Sequence, residues 1–225
     1  VNDNTSLLVI NSFKEGSYMP WEVFLSGLFS YLKENRMKNL IIDVRANGGG
    51  ASYLGDMLID YLTDKPWTQF GNCTRKYSEQ AIAQRPPYKD KEPGAIESYQ
   101  GELEKPSRNP LRFSGSVYLL TSRFTFSSAS SFAAAIKDFG IGTIIGEETG
   151  GTFPHFGDVI SFQLPNSKIN GGCSYTEWHR WNETDPGRGI TPDYEMKPLP
   201  EDLAAGRDRA LEFALDLSGT TDIKQ

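Results

Sequence analysis

LIIDVRANGGG, residues 40 to 50, is an apolar run that ends in Arg, Ala, Asn and three glycines. Leu40, Ile41, Ile42 and Val44 are nearly continuous, which is how a strand buried on both faces is written. Leu54, Met57, Leu58, Tyr61 and Leu62 then recur at three- and four-residue steps, so the chain passes from strand through glycine turn into helix. Units of this kind build the parallel, helix-covered sheets of the α/β class.

Outward from that unit the same grammar continues. Residues 6 to 13 (SLLVINSF) predict a strand, and Pro20 stands at a first helical position ahead of a stripe formed by Trp21, Phe24, Leu25, Leu28, Phe29 and Leu32. Residues 75 to 115 are polar, lack a period and carry Pro86, Pro87, Pro93, Pro106 and Pro110, which predicts a long surface loop. Val117 to Leu120 predict a second buried strand, followed by a Thr/Ser/Phe-rich turn and a helix over 128–139 with Ala133, Ala134 and Ala135. A strand over 143–145 leads into a glycine turn at Gly150 and Gly151. A hairpin bent at Pro165 and Asn166 follows, and an amphipathic helix over 202–217 closes the pattern.

Composition narrows the function. At 225 residues the chain holds one sizeable core, and we treat 1–225 as a single catalytic-type domain. A net charge of -6 with no dense basic cluster argues against binding to a phosphate backbone, and no apolar run has the length a membrane span needs. Cys73 and Cys173 are too far apart for a local metal or redox motif and leave one disulfide or two free thiols open. Sequons at Asn4, Asn72 and Asn182 do not decide between compartments, and with the sequence starting at Val1 any targeting segment is expected to have been removed or not included. The glycine loop is not a phosphate loop, since GxxxxGK[ST] and GxGxxG are both missing, and no metal or cofactor is expected.

Two turns carry chemistry. Ser127 and Ser128 follow a strand and open a helix, where a serine either caps the free N–H groups or uses their positive field as a nucleophile. The Gly48 to Gly50 loop is either a tight turn or a set of exposed amides able to hold an anion. Acyl transfer needs a nucleophile and oxyanion donors converging from separate segments, and the two turns together supply both.

LIIDVRANGGG (40–50) resembles the "LILDLRGNPGG" segment of the C-terminal-processing serine peptidases, the tail-specific and tricorn-like family. VYLLTSRFTFSSASSFAAAIKDFGIGTIIGEETGG (117–151) is similar to the family's strand, serine turn, helix and "GEPT" turn, and GRGITPDYEM, from Gly187, to its "GVxPDxxV" strand. The resemblance implies a crotonase-like fold of stacked ββα units, a polypeptide substrate and an extracytoplasmic location. It places the nucleophile at Ser127 and oxyanion amides at Ser128 and Gly49, with Gly48 as the neighbouring possibility.

One position departs from the family pattern. Where Ser-Lys members of the family carry their lysine base, this chain has Thr152, whose hydroxyl is far too weak a base at neutral pH. The tricorn-like branch uses Ser, His and Glu, with its His from a region upstream of the first strand, which is expected to lie outside this chain. Of the two histidines, His155 follows the second glycine turn and is the candidate base within the chain, while His179 is not assigned a role. Asp185, with Glu183 beside it, is the candidate orienting acid, although Pro186 replaces the family's Glu. Two main readings follow: a serine endopeptidase working through an acyl-enzyme, and a non-catalytic ligand- or peptide-binding module on the same scaffold. An acyl-CoA-handling enzyme on the crotonase scaffold ranks behind both, and the GxSxG elbow of the α/β-hydrolases is missing.

Overall fold

In the computed structural model, residues 1–16, 18–182 and 187–220 are described. Five parallel strands form the main sheet in the order β1 (Thr5–Val9), β2 (Asn39–Asp43), β5 (Ser116–Thr121), β6 (Thr143–Gly146) and β9 (Tyr194–Glu195). Between them in sequence lie β3 (Asn72–Lys76) and β4 (Ile96–Gln100), and after β6 come β7 (His155–Gln163) and β8 (Asn170–His179). These four pair antiparallel as a second sheet, in the order β4-β3-β8-β7.

The main sheet is covered on both faces, which is why its strands are apolar without alternation. Leu40 and Ile42 of β2 join Leu119 of β5 in a core shared with three helices, α1 (Trp21–Glu34), α2 (Ser52–Ile59) and α4 (Ser128–Asp138). Those helices contribute Leu25 and Phe29, Leu54 and Leu58, and Phe132 with the alanines of α4. Ile41, Tyr118, Leu120 and Ile145 point the other way, onto Ala210 and Ala214 of α6 (Arg209–Thr220).

Three expectations are corrected. Residues 75 to 115 are not one long loop: they hold the end of β3, the helix α3 (Glu79–Gln84), a short 3-10 turn and β4. The predicted 202–217 helix is two helices, α5 (Pro200–Ala204) and α6, parted at Gly206, whose φ of +66° ends α5 in the left-handed conformation. Asp208 then opens α6, accepting the Leu211 N–H at 3.1 Å. The first strand is also shorter than 6–13, stopping at Val9, while Phe13 forms an isolated bridge to Gly50. Cys73 and Cys173 are both free thiols, one buried and one exposed.

Candidate active site

Because β2 and β5 are parallel neighbours, the turns leaving their C-terminal ends open on the same edge of the sheet, where open α/β folds place their sites. Hydrogen bonds zip the two turns together. The Val44 N–H donates to Leu120 O at 3.1 Å, and the Phe126 N–H to Asn47 O at 3.0 Å. Three hydroxyls of the serine turn also donate to the glycine turn: Thr125 Oγ1 to Val44 O at 2.9 Å, Ser122 Oγ to Arg45 O at 2.7 Å and Ser128 Oγ to Gly50 O at 2.6 Å. The turn after β6 docks on the same hub, its Gly150 and Gly151 N–H groups both reaching Thr125 O, at 2.9 and 3.3 Å.

Ser127 sits at the centre of this frame with φ 52° and ψ -127°, a conformation that costs a non-glycine residue about 1–3 kcal/mol and persists only where surroundings impose it. Its side chain makes no capping bond to the helix it precedes. That removes the plain N-cap reading. A serine that merely capped α4 would spend its Oγ on the free amides of the first turn.

Gly49 is the closest part of the glycine loop. With φ +101°, a Cβ built on it would lie 2.7 Å from Ser127 Cβ, 2.9 Å from Phe126 O and 3.0 Å from Ser128 N, so only glycine fits. Its amide, expected as an oxyanion donor, is nevertheless already committed, to Asn47 Oδ1 at 2.9 Å. The vacant donors lie to either side. The Phe13 bridge uses Gly49 O and the Ala51 N–H, which leaves Gly50's own polar groups on the opposite side, where its carbonyl meets Ser128. Among the described residues the Gly48, Gly50 and Ser128 N–H groups have no backbone acceptor.

His155 opens β7 four residues after Gly151, whose own missing Cβ would lie 3.0 Å from Ser127 N. Burial pushes the imidazole down to about 4 against a weaker opposing bond to the Thr152 backbone. Its ring packs on Phe153 at 4.7 Å between centroids, and its Nδ1 is buried without a partner. No hydrogen bond joins it to Ser127, so the structure does not bring these two predicted residues together as a base and nucleophile. His179 belongs to the small sheet, where Glu177 Oε2 is 3.7 Å away, and Thr152 is exposed beside the site. Asp185, Glu183 and Pro186 lie outside the described residues; the segment resumes at Gly187, whose N–H donates to Phe153 O at 2.6 Å.

Two residues were missed in the sequence. Asn47, fully buried, shapes the glycine loop, and an Asn two positions before a glycine is the ordinary signal of a side-chain-closed turn. Thr125, equally buried, links all three turns, and nothing in the sequence marks it out. Further out, Arg45 makes paired bonds to Asp43 and Asp208, pinning the exit of β2 to the start of α6. Those bonds outweigh the burial that works against the guanidinium charge and raise its pKa.

Fold and site together define a parallel α/β domain with a strained serine at a strand-to-helix turn, packed on a glycine loop from the neighbouring strand. The model of Peptidase family S41 matches residues 4–196, and the chain belongs to that family. The chain is 24% identical over 196 residues to the tricorn protease of Thermoplasma acidophilum, covering 83% of this chain and 14% of that protein. It is 31% identical over 107 residues to tricorn protease homolog 1 of Streptomyces coelicolor, 46% of this chain and 10% of that one. Among solved structures, a protein of Parabacteroides merdae aligns with a TM-score of 0.70 at 26% identity, covering 96% of this chain and 61% of the other. The photosystem II D1 C-terminal processing protease aligns with a TM-score of 0.55 at 21% identity, covering 89% and 45%. The chain thus spans only part of each relative.

Proposed function

We propose that the chain is the peptidase core of a serine endopeptidase that cuts extended polypeptide through an acyl-enzyme on Ser127. The observation that carries this reading is the strained, uncapped Ser127 held against a glycine that no other residue can replace. Ser127 Oγ attacks the peptide carbonyl carbon, forming a C–O bond, and its proton passes to a base. The oxyanion is held by the Ser128 N–H and by an amide of the 48–50 loop. Collapse breaks the C–N bond, the base returns the proton to the leaving amine, and water releases the acyl group by the same steps. The positive end of α4 favours the negative charge on both Oγ and the oxyanion.

The base is the part that the described residues do not supply. An imidazole held near pKa 4, unbonded to Ser127, gives little driving force for taking a hydroxyl proton at neutral pH, so in this reading the base comes from outside the described residues. The crotonase-like form of the fold belongs to the same reading, supported by the repeated strand, turn and helix units β2 with α2 and β5 with α4.

The binding-module alternative is favoured by one observation: no described group contacts the Ser127 hydroxyl as a base. A fluorophosphonate probe, applied to the protein with the segment that supplies the base present, separates the two. Stoichiometric labelling of Ser127, lost in Ser127→Ala, establishes an activated nucleophile; an unlabelled Ser127 in protein that binds peptide establishes the module instead.

A further inference from the structure

Among the polar side chains around the site, Asn47 has a bonding pattern that the proposed chemistry does not use. Its main chain is spent on the fold, the N–H donating to Val44 O at 3.0 Å and the carbonyl accepting from Phe126 at 3.0 Å. Its side chain, 0% exposed, accepts the Gly49 N–H through Oδ1 at 2.9 Å and leaves Nδ2 buried with no partner. A buried amide donor left unpaired destabilises a fold, and an aspartate or serine at 47 could close the same turn without one. The orphan donor therefore needs a reason.

We infer that Asn47 is the positioning residue of the oxyanion loop, chosen as a neutral amide because it must accept from Gly49 without placing negative charge beside the oxyanion. Its acceptor end turns the Gly49 amide inward and holds Gly49 against Ser127, so that the neighbouring amides are the ones left facing substrate. Its donor end keeps the positive side of a fixed dipole inside the loop, where preorganised dipoles act most strongly in a water-excluded site. A carboxylate would close the loop equally well and oppose the developing charge. The electrostatic half of this inference rests on the peptidase reading above; the loop-holding half does not.

Two variants and two readouts test it. Amide hydrogen exchange at Gly49 is expected to be slow in the parent and in Asn47→Asp, and faster by tenfold or more in Asn47→Ala, where the acceptor is gone. Fluorophosphonate labelling of Ser127 is expected to fall tenfold or more in Asn47→Asp at pH 8 and to recover as the pH is lowered and the new carboxyl protonates, with the probe's binding constant little changed. Such a pH-dependent rescue is not expected of a residue that only fills space. Unchanged Gly49 exchange in Asn47→Ala overturns the positioning role, and parent-like labelling of Asn47→Asp at pH 8 overturns the electrostatic one. If the parent itself is never labelled while the exchange contrast holds, the peptidase reading falls and the electrostatic role with it, whereas the loop-holding role stands.

Discussion

Gly49→Ala adds one methyl group at the point where the glycine loop meets the nucleophile turn. Position 49 has φ +101°, which costs an L residue about 1–3 kcal/mol. The new Cβ falls 2.7 Å from Ser127 Cβ and 2.9 Å from Phe126 O, the latter a backbone atom that cannot swing aside, and overpacking of this kind adds about 1–3 kcal/mol. Together these destabilise by about 2–6 kcal/mol, which at roughly 2–4 °C per kcal/mol lowers Tm by about 4–24 °C. The part of the overlap relieved by displacing Ser127 appears instead in function, since a shift of about 1 Å at a reacting atom costs on the order of a hundredfold. Gly48→Ala is the internal control: its Cβ meets nothing within 4 Å and no positive φ is involved. Thermal melts followed by circular dichroism, with fluorophosphonate labelling at a temperature where all proteins remain folded, give both numbers. If Gly49→Ala melts within about 1 °C of the parent and labels at its rate, or if Gly48→Ala suffers equally, the contact between loop and serine is not the constraint described.

Ser127→Ala should abolish labelling with little change in Tm, because the side chain makes no capping bond. Ser128→Ala keeps the backbone amide but loses the 2.6 Å bond to Gly50 O, so it should lower stability by about 0.5–1.5 kcal/mol in a urea melt and retain labelling. Arg180→Met leaves Asp138 buried beside its lost partner at the far end of α4, and chemical denaturation should report a loss of about 3–5 kcal/mol. His155, pushed by burial from 6.5 to about 4, adds stability that is complete above pH 6.5 and is lost as pH falls toward 4. His155→Phe should flatten that slope in melts across the same window. Asp56 has the opposite sign: burial first, then Glu104, raises it from 3.8 to about 6 despite the Gln69 bond, so stability is lost as pH rises through that range. Asp56→Asn should therefore raise Tm at pH 8 more than at pH 4, and equal gains at both would refute the assignment.

How much was legible depended on where the forces that fix each element originate. β2, β5 and their helices are written in local sequence, because a strand buried on both faces must be apolar throughout and a helix packed on it must repeat every three or four residues. The small sheet is not written locally. NCTRK and IESYQ are five-residue segments of mixed polarity, and the register of β3 is set by pairing Asn72 with His179 and Cys73 with Trp178, more than a hundred positions away in the chain. Nothing within residues 72–100 announces those partners, and Pro86 and Pro87 make the stretch read as loop. The break in the C-terminal helix was signalled by Gly206, but a lone glycine within a helical period does not by itself mark a stop.

The site divides along the same line. Residue types and their placement on two strand-to-helix turns are sequence properties, and these located Ser127 and the glycine loop. Which amide of that loop is free is a property of direction, and direction is set by Asn47 closing on Gly49 from within and by Phe13 bridging Gly50 from β1's side. The first contact is local and readable in principle, as a side-chain turn; the second spans thirty-seven positions, the separation of Phe13 from Gly50, and no local pattern specifies it. The same distinction explains His155. Its place after the Gly150–Gly151 turn made it the natural candidate within the chain, but basicity follows from solvation and partners, and the fold gives its Nδ1 burial without either. A histidine so placed is held neutral by its surroundings, not primed by a neighbouring carboxylate, and for that reason the search for the base leads away from it.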